Sequence, residues 1–143
     1  VVEKLETNKI RQKISININQ ALPMIRTDKM MLEQIIYNVL NNACQYTPAA
    51  STIRITALQH ADILQLTIED NGAGFPEDEI NNVFDKFYRL RNTKTGGTGL
   101  GLSIVKGFTE ALNGKVQLKN IPSGGCRFTI EIPCETSYIK SER

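Results

Sequence analysis

Asp70-Asn71-Gly72-Ala73-Gly74 and Gly97-Thr98-Gly99-Leu100-Gly101-Leu102 decide how this chain is read, because both stand downstream of Asn38-Val39-Leu40-Asn41-Asn42-Ala43. One glycine-rich loop alone serves a turn as readily as a ligand. Here the first is led by an aspartate that closes a mostly apolar run, and the second opens a stretch of helical periodicity. Upstream, Leu32, Ile35, Ile36, Val39, Leu40 and Ala43 recur at helical spacing, with Asp28 as N-cap and Thr47-Pro48 as the stop. Ile53-Arg54-Ile55-Thr56-Ala57 and Ile63-Leu64-Gln65-Leu66-Thr67-Ile68 read as a hairpin turning within residues 59–62. Pro76 is expected to open a short helix whose Ile80, Val83, Phe84 and Phe87 share a face. Leu102, Val105, Phe108 and Leu112 mark a further helix ended by Asn113-Gly114.

The alternating run Lys13-Ile14-Ser15-Ile16-Asn17-Ile18 reads as a strand, after a short helix expected over residues 2–11. Val116-Gln117-Leu118 and Phe128-Thr129-Ile130-Glu131-Ile132 are the last strands, joined through Pro122-Ser123-Gly124-Gly125. Elements mixed in this order predict a two-layer α/β sandwich, a mixed sheet covered on one face by helices. A chain of 143 residues, 41% hydrophobic and without repeat or linker, suits a single domain over residues 1–143.

Composition narrows the function classes. Seventeen Lys and Arg against 15 Asp and Glu leave a net charge of +2, which gives no reason to expect a nucleic-acid or membrane surface. Cys44, Cys126 and Cys134 form no CxxC and no metal spacing with the lone histidine, His60. They are expected to be reduced thiols in a cytosolic compartment. No apolar run reaches membrane-spanning length and the N-terminus does not read as a signal peptide. Because the chain opens on Val1-Val2-Glu3 without methionine, it is expected to be a piece of something longer.

The chemistry starts on the long helix. Gln34, Asn38, Asn42 and Gln45 follow the edge of its apolar stripe, and an amide oxygen is a hard, neutral ligand suited to Mg²⁺. A solvated helix flank would use the same residues. Asp70 can accept a hydrogen bond from an exocyclic amine such as that of adenine, while Gly72 and Gly74 let a flat base approach the backbone; a plain Asn-Gly turn is the competing account. Gly97, Gly99 and Gly101 lead into a helix whose N–H groups would favour a phosphate. There is no GxxxxGK[ST], and the GxGxG alternation without a strand before it does not fit a dinucleotide fingerprint. Arg89, Arg91 and Lys94, just before, either reach phosphates or form a solvated loop. Taken together, these residues point to an ATP site.

In these residues the chain resembles the catalytic ATP-binding domain of bacterial sensor histidine kinases, within the wider Bergerat-type group containing Hsp90, DNA gyrase B and MutL. The N box is similar to Asn38-Val39-Leu40-Asn41-Asn42-Ala43-Cys44-Gln45-Tyr46-Thr47-Pro48, and the F box to Phe84-Asp85-Lys86-Phe87-Tyr88-Arg89. The two glycine boxes and the ending Gly124-Gly125-Cys126-Arg127-Phe128-Thr129-Ile130 complete an ordered match over about residues 22–133.

The resemblance implies ATP and Mg²⁺ as ligands. It makes Asn42 the metal ligand, with Asn38, Gln45, Tyr46 and Phe87 in the nucleotide-binding set. Asp70 would bind the adenine amino group, Gly72 and Gly74 would shape that end, and Thr129 would assist through water. Gly97, Thr98, Gly99, Leu100 and Gly101 would hold the phosphates, and residues 89–96 would be the lid. Gln45 departs from the pattern, since many members carry Lys or Arg there, which leaves phosphate contact more dependent on Arg89, Arg91 or Lys94.

ATP-hydrolysing relatives carry a glutamate base one turn before the metal asparagine. This chain has Asn38 there, and a neutral amide takes no proton from water. The resemblance therefore implies a kinase that delivers the γ-phosphoryl group to a histidine on its own dimerisation domain, and indirectly to a response regulator. That acceptor segment is not in the chain; His60 sits in the expected hairpin turn. The parent would be a membrane-anchored dimer of the bacterial inner membrane, with this domain in the cytosol. Phe84–Arg89 and the run Gly-Gly-Thr-Gly-Leu-Gly-Leu-Ser-Ile-Val-Lys-Gly-Phe resemble potassium-responsive Kdp-type sensors. The alternatives are an anti-sigma or serine-kinase-type switch protein, a hydrolytic ATPase, and a degenerate interaction module.

Overall fold

The structure is a computed structural model and describes residues 12–18, 22, 24–88 and 100–137. Its main element is a five-stranded sheet ordered β1-β3-β4-β6-β5. The strands are β1 (Lys13–Ile18), β3 (Thr52–His60), β4 (Ile63–Asp70), β5 (Lys115–Asn120) and β6 (Cys126–Pro133). β1 runs parallel to β3 and the other pairs are antiparallel, so the sheet is mixed as expected. The parallel pair needs a crossover, supplied by helix α1 (Lys29–Tyr46). Helix α2 (Gly101–Ala111) leads back into β5.

Period-two alternation decides which face is covered. Ile53, Ile55 and Ala57 of β3, Leu64, Leu66 and Ile68 of β4, and Phe128, Ile130 and Ile132 of β6 are all buried. Ile35, Val39, Leu40 and Ala43 of α1 and Leu102 and Val105 of α2 join them in one core. The other face is polar and carries cross-strand ion pairs, Arg127–Glu69 at 2.9 Å and Lys115–Glu131 at 3.6 Å. Phe128 is the hub, edge-on to Phe75 and to Phe84 with both ring separations 6.2 Å. Asp28 caps α1 as expected, its carboxylate accepting the Met31 N–H at 3.0 Å.

Three differences from the sequence reading have physical causes. A second, two-stranded sheet of β2 (Met24–Arg26) and β7 (Glu135–Ser137) was not anticipated, because three-residue strands are too short to show alternation. The helix expected after Pro76 is only a 3₁₀ turn, Ile80–Asn82. Its backbone bonds step by three, Glu79 N–H to Pro76 C=O, Asn82 to Glu79, Asp85 to Asn82 and Tyr88 to Asp85, at 2.9 to 3.1 Å. A face laid out on a 3.6 period does not survive that step. Val83 is buried and Ile80 and Phe84 pack on the core, but Phe87 leaves the face, at φ +64 and 66% exposed. The helix expected over residues 2–11 lies outside the described residues.

Thr109 of α2 is fully buried and its hydroxyl has no hydrogen-bond partner among the described residues. Thr109→Val keeps the shape and removes that desolvated group, so it should raise unfolding stability by about 1 kcal/mol. Phe128→Ala empties the hub of the core and should cost about 3–5 kcal/mol. Urea denaturation of both variants checks this; a loss in Thr109→Val would mean that the hydroxyl is satisfied in solution.

Candidate functional site

The inner-face alternation of β4 does not stop at Ile68. Asp70 is the next residue of that set, so the strand ends by turning a carboxylate inward, 8% exposed. A buried carboxylate must be hydrogen-bonded. Oδ1 accepts the Gly72 N–H at 2.9 Å, which bends the chain into the glycine loop. Oδ2 accepts the Cys126 thiol at 3.1 Å from the first residue of β6. Burial, and then the neighbouring Asp70 charge, push the Cys126 thiol far above the ordinary thiol range, so sulfur keeps its proton and donates it. An ionised carboxylate has about four acceptor sites, so Asp70 retains capacity for an outside donor.

The backbone is close on both sides of this carboxylate. Gly125, at φ +87, lies so near that a Cβ there would fall 1.8 Å from the Asp70 carbonyl oxygen. A Cβ on Gly72 would come within 3.0 Å of Thr47 Cγ2, at the C-terminal end of α1. Asn71 fixes the start of the loop by accepting the Thr52 N–H at 2.8 Å.

The other wall forms further up α1. Asn38 Nδ2 donates to the Gln34 carbonyl at 2.7 Å, and a Cβ on Gly101 would lie 3.3 Å from Asn38 Oδ1. The start of α2 is thus seated against Asn38, with the apolar Leu100 at its N-cap position. Asn42, one turn on, is half-buried, and no hydrogen bond joins its side chain to a described residue. Gln34 and Gln45 are exposed and Tyr46 is half-buried. Between Asn38 at the α2 terminus and Thr47 at the aspartate loop, α1 spans about 13 Å at ~1.5 Å per residue. An amine acceptor, a neutral amide oxygen and a helix N-terminus along one such line fit an extended nucleoside triphosphate with Mg²⁺.

Of the expected site residues, the structure brings together Asn38, Asn42, Gly101 and, at the far end, Asp70 and Gly72. Gly74, at φ +79, continues the same loop. Leu100 is the N-cap of α2. Phe87 is exposed, outside the core face expected for it. Arg89, Arg91, Lys94, Gly97, Thr98 and Gly99 lie outside the described residues. Thr129 pairs with Thr67 on the sheet's polar face, alternate to the buried Phe128 and Ile130, whereas Asp70 lies on the buried face. Three residues earlier, Cys126 is the β6 side chain that meets Asp70. The sequence offered only a faint signal for it, a thiol directly after Gly124-Gly125. Glu33 pairs with Lys29 at 3.9 Å on the exposed side of α1, and His60 is exposed at the end of β3.

Residues 27–136 match the family model described as histidine kinase-, DNA gyrase B-, and HSP90-like ATPase. The sensor protein KdpD of Clostridium acetobutylicum is 35% identical over 127 residues, 86% of this chain and 14% of that protein. The signal transduction histidine-protein kinase BaeS of Escherichia coli is 36% identical over 111 residues, 76% of this chain and 24% of that protein. The chain therefore spans between about a seventh and a quarter of the length of these curated relatives. The solved structure of full-length ShkA in complex with AMPPNP is 27% identical and superposes with a TM-score of 0.82, covering 96% of this chain and 29% of that one.

Two outcomes test the aspartate end. Cys126 should resist alkylation by iodoacetamide in the native state at pH 8 and react once urea unfolds the chain, as mass mapping of the labelled thiols would read. Gly125→Ala, blocked by both the left-handed φ and the Asp70 carbonyl, should cost more than about 2 kcal/mol in urea denaturation.

Proposed function

Because the chain belongs to the histidine kinase-, DNA gyrase B- and HSP90-like ATPase family, we propose that it is the catalytic ATP-binding domain of a sensor histidine kinase. It delivers the γ-phosphoryl group of ATP to a histidine on the dimerisation domain of the parent protein, and from there to a response regulator. The observation that carries this is the layout along α1: a buried Asp70 carboxylate at one end, the α2 N-terminus at Asn38 at the other, and the Asn42 amide between. In that layout Asp70 accepts the adenine amino group, Gly101 and the preceding glycine box hold phosphate oxygens, and Asn42 ligates Mg²⁺. The metal supplies neutralisation of phosphate charge.

Asn38 makes the site a holding site. Its amide nitrogen is committed to the Gln34 carbonyl, and the remaining oxygen is neutral, so it can accept a hydrogen bond but cannot serve as a base toward water. Phosphoryl transfer then depends on positioning the acceptor, supplied by another domain. His60, at the exposed end of β3, is a surface residue in this scheme. The cytosolic side of the inner membrane is the compartment that supplies ATP to a parent anchored there as a dimer, and no helix among the described residues is long and apolar enough to cross a membrane. The Kdp-type potassium-sensing branch is a finer assignment supported by the F box and second glycine box, but no more by identity than the BaeS branch. Retention of Asp70, Asn42 and the Gly72, Gly74 and Gly101 positions weighs against a degenerate interaction module, and Asn38 against a hydrolytic ATPase.

Calorimetric titration with ATP and ADP, with and without Mg²⁺, tests the proposal. The wild-type chain should bind both saturably, and Asp70→Ala should weaken binding by about 10- to 100-fold, the loss of a charge-assisted hydrogen bond. Wild-type protein should release no phosphate from bound ATP above the buffer blank over an hour. Absence of binding by folded wild-type protein would overturn the assignment, and steady hydrolysis would overturn the role given to Asn38.

A further inference from the structure

We propose that Asn120 is a positioning residue for the base-binding loop, its carboxamide clamping the backbone of Phe75 so that Asp70 to Gly74 hold the shape that receives an adenine ring. This rests on the ATP-binding assignment above and adds to it a residue that the sequence reading did not single out.

Asn120 ends β5, directly across from Cys126. Its Oδ1 accepts the Phe75 N–H at 2.8 Å and its Nδ2 donates to the Phe75 carbonyl at 2.7 Å. A side-chain amide thus does for one residue of an irregular loop what a neighbouring strand does in a sheet. The same Nδ2 also donates to Glu77 Oε1 at 2.9 Å, so donors and acceptor are all engaged. The approach needs Gly74: at φ +79, a Cβ there would lie 2.6 Å from Asn120 Oδ1.

The glycine loop is then anchored at both ends. Upstream, Asp70 is held by the Gly72 N–H and the Cys126 thiol; downstream, Phe75 is held by Asn120. Cys126 and Asn120 are cross-strand partners on β6 and β5, so one ladder position supplies both anchors. Asn combines donor and acceptor at the required reach. Aspartate has the same shape but no donor, and it would put a second carboxylate beside Glu77. With the clamp removed, nucleotide binding must itself order the loop, and affinity falls accordingly.

The test uses the 143-residue chain with ADP as probe, comparing wild type, Asn120→Ala, Asn120→Asp and Glu77→Ala by calorimetry, with amide exchange at Phe75 and Gly72 alongside. Both Asn120 variants should bind ADP about tenfold or more weakly, as expected when hydrogen bonds of ordinary strength are lost. The Phe75 amide should exchange faster in Asn120→Ala, which loses its acceptor, while amides of β4 and β6 keep wild-type protection in both variants, and Glu77→Ala should stay within about twofold in ADP affinity. If Asn120→Asp, the isosteric variant, binds like wild type, the side chain merely fills space and the clamp is overturned. If wild type binds ADP and both Asn120 variants stay within about twofold of it, the clamp is overturned while the ATP-binding assignment stands. If folded wild type does not bind ADP, the assignment falls and takes the role of Asn120 with it. Should Asn120→Ala fail to fold, Asn120→Asp decides alone.

Discussion

The inward carboxylate of Asp70 is the constraint from which the rest of the site follows. Leu64, Leu66 and Ile68 place the buried face of β4, and one more step of two puts a charge in that face. A charge there is tolerable only when hydrogen-bonded, and the donors come from opposite directions. Gly72 N–H lies in the loop that follows, so satisfying Asp70 bends that loop. The Cys126 thiol comes from β6, so the same requirement ties the loop to a second strand. Gly125 must be glycine because β6 begins so close to the Asp70 carbonyl. A core strand, a loop and a turn are thereby locked around one side chain that retains room for an outside donor.

Helix α1 supplies the other dimension. Its apolar stripe, Ile35, Val39, Leu40 and Ala43, seats it on the core, which leaves Asn38 and Asn42 half-buried along the edge. The helix is rigid, so the spacing between its two ends is a fixed length. Thr47 abuts the aspartate loop and Asn38 abuts the start of α2. The aspartate loop and the start of α2, far apart in the sequence, are therefore held at two ends of one stretch of α1.

Much of this was legible in the sequence because it depends on local periodicity. The α1 stripe, its Asp28 cap, β1 and the β3–β4 hairpin each repeat a pattern over several residues, and the structure reproduces them. What was not legible depends on contacts across the chain. The three-residue β2 and β7 exist because they pair with each other. The segment after Pro76 looked helical by spacing, yet its bonds step by three and Phe87 turns out to solvent. Thr129 and Cys126 differ by three residues in one strand, an odd step that puts them on opposite faces, and only the register of β6 against β4 says which one meets Asp70. Asn120 was silent for the same reason, since its partner Phe75 is 45 residues away.

At Asn38 the chain carries a neutral amide, one methylene shorter than the glutamate base expected of an ATP-hydrolysing relative, so both chemistry and reach differ. The side chain sits where the start of α2 meets α1, and its nitrogen is held by the carbonyl one turn back. That bond fixes the orientation of the amide, leaving an oxygen that accepts but does not ionise. A carboxylate at the same point would bring negative charge to the helix terminus and compete with phosphate for the N–H groups of α2. The neutral amide leaves those groups to an anion from outside. Under the proposed assignment, one neutral amide would both leave a triphosphate intact and leave the helix terminus open to it, which a domain passing phosphate to another domain would need together.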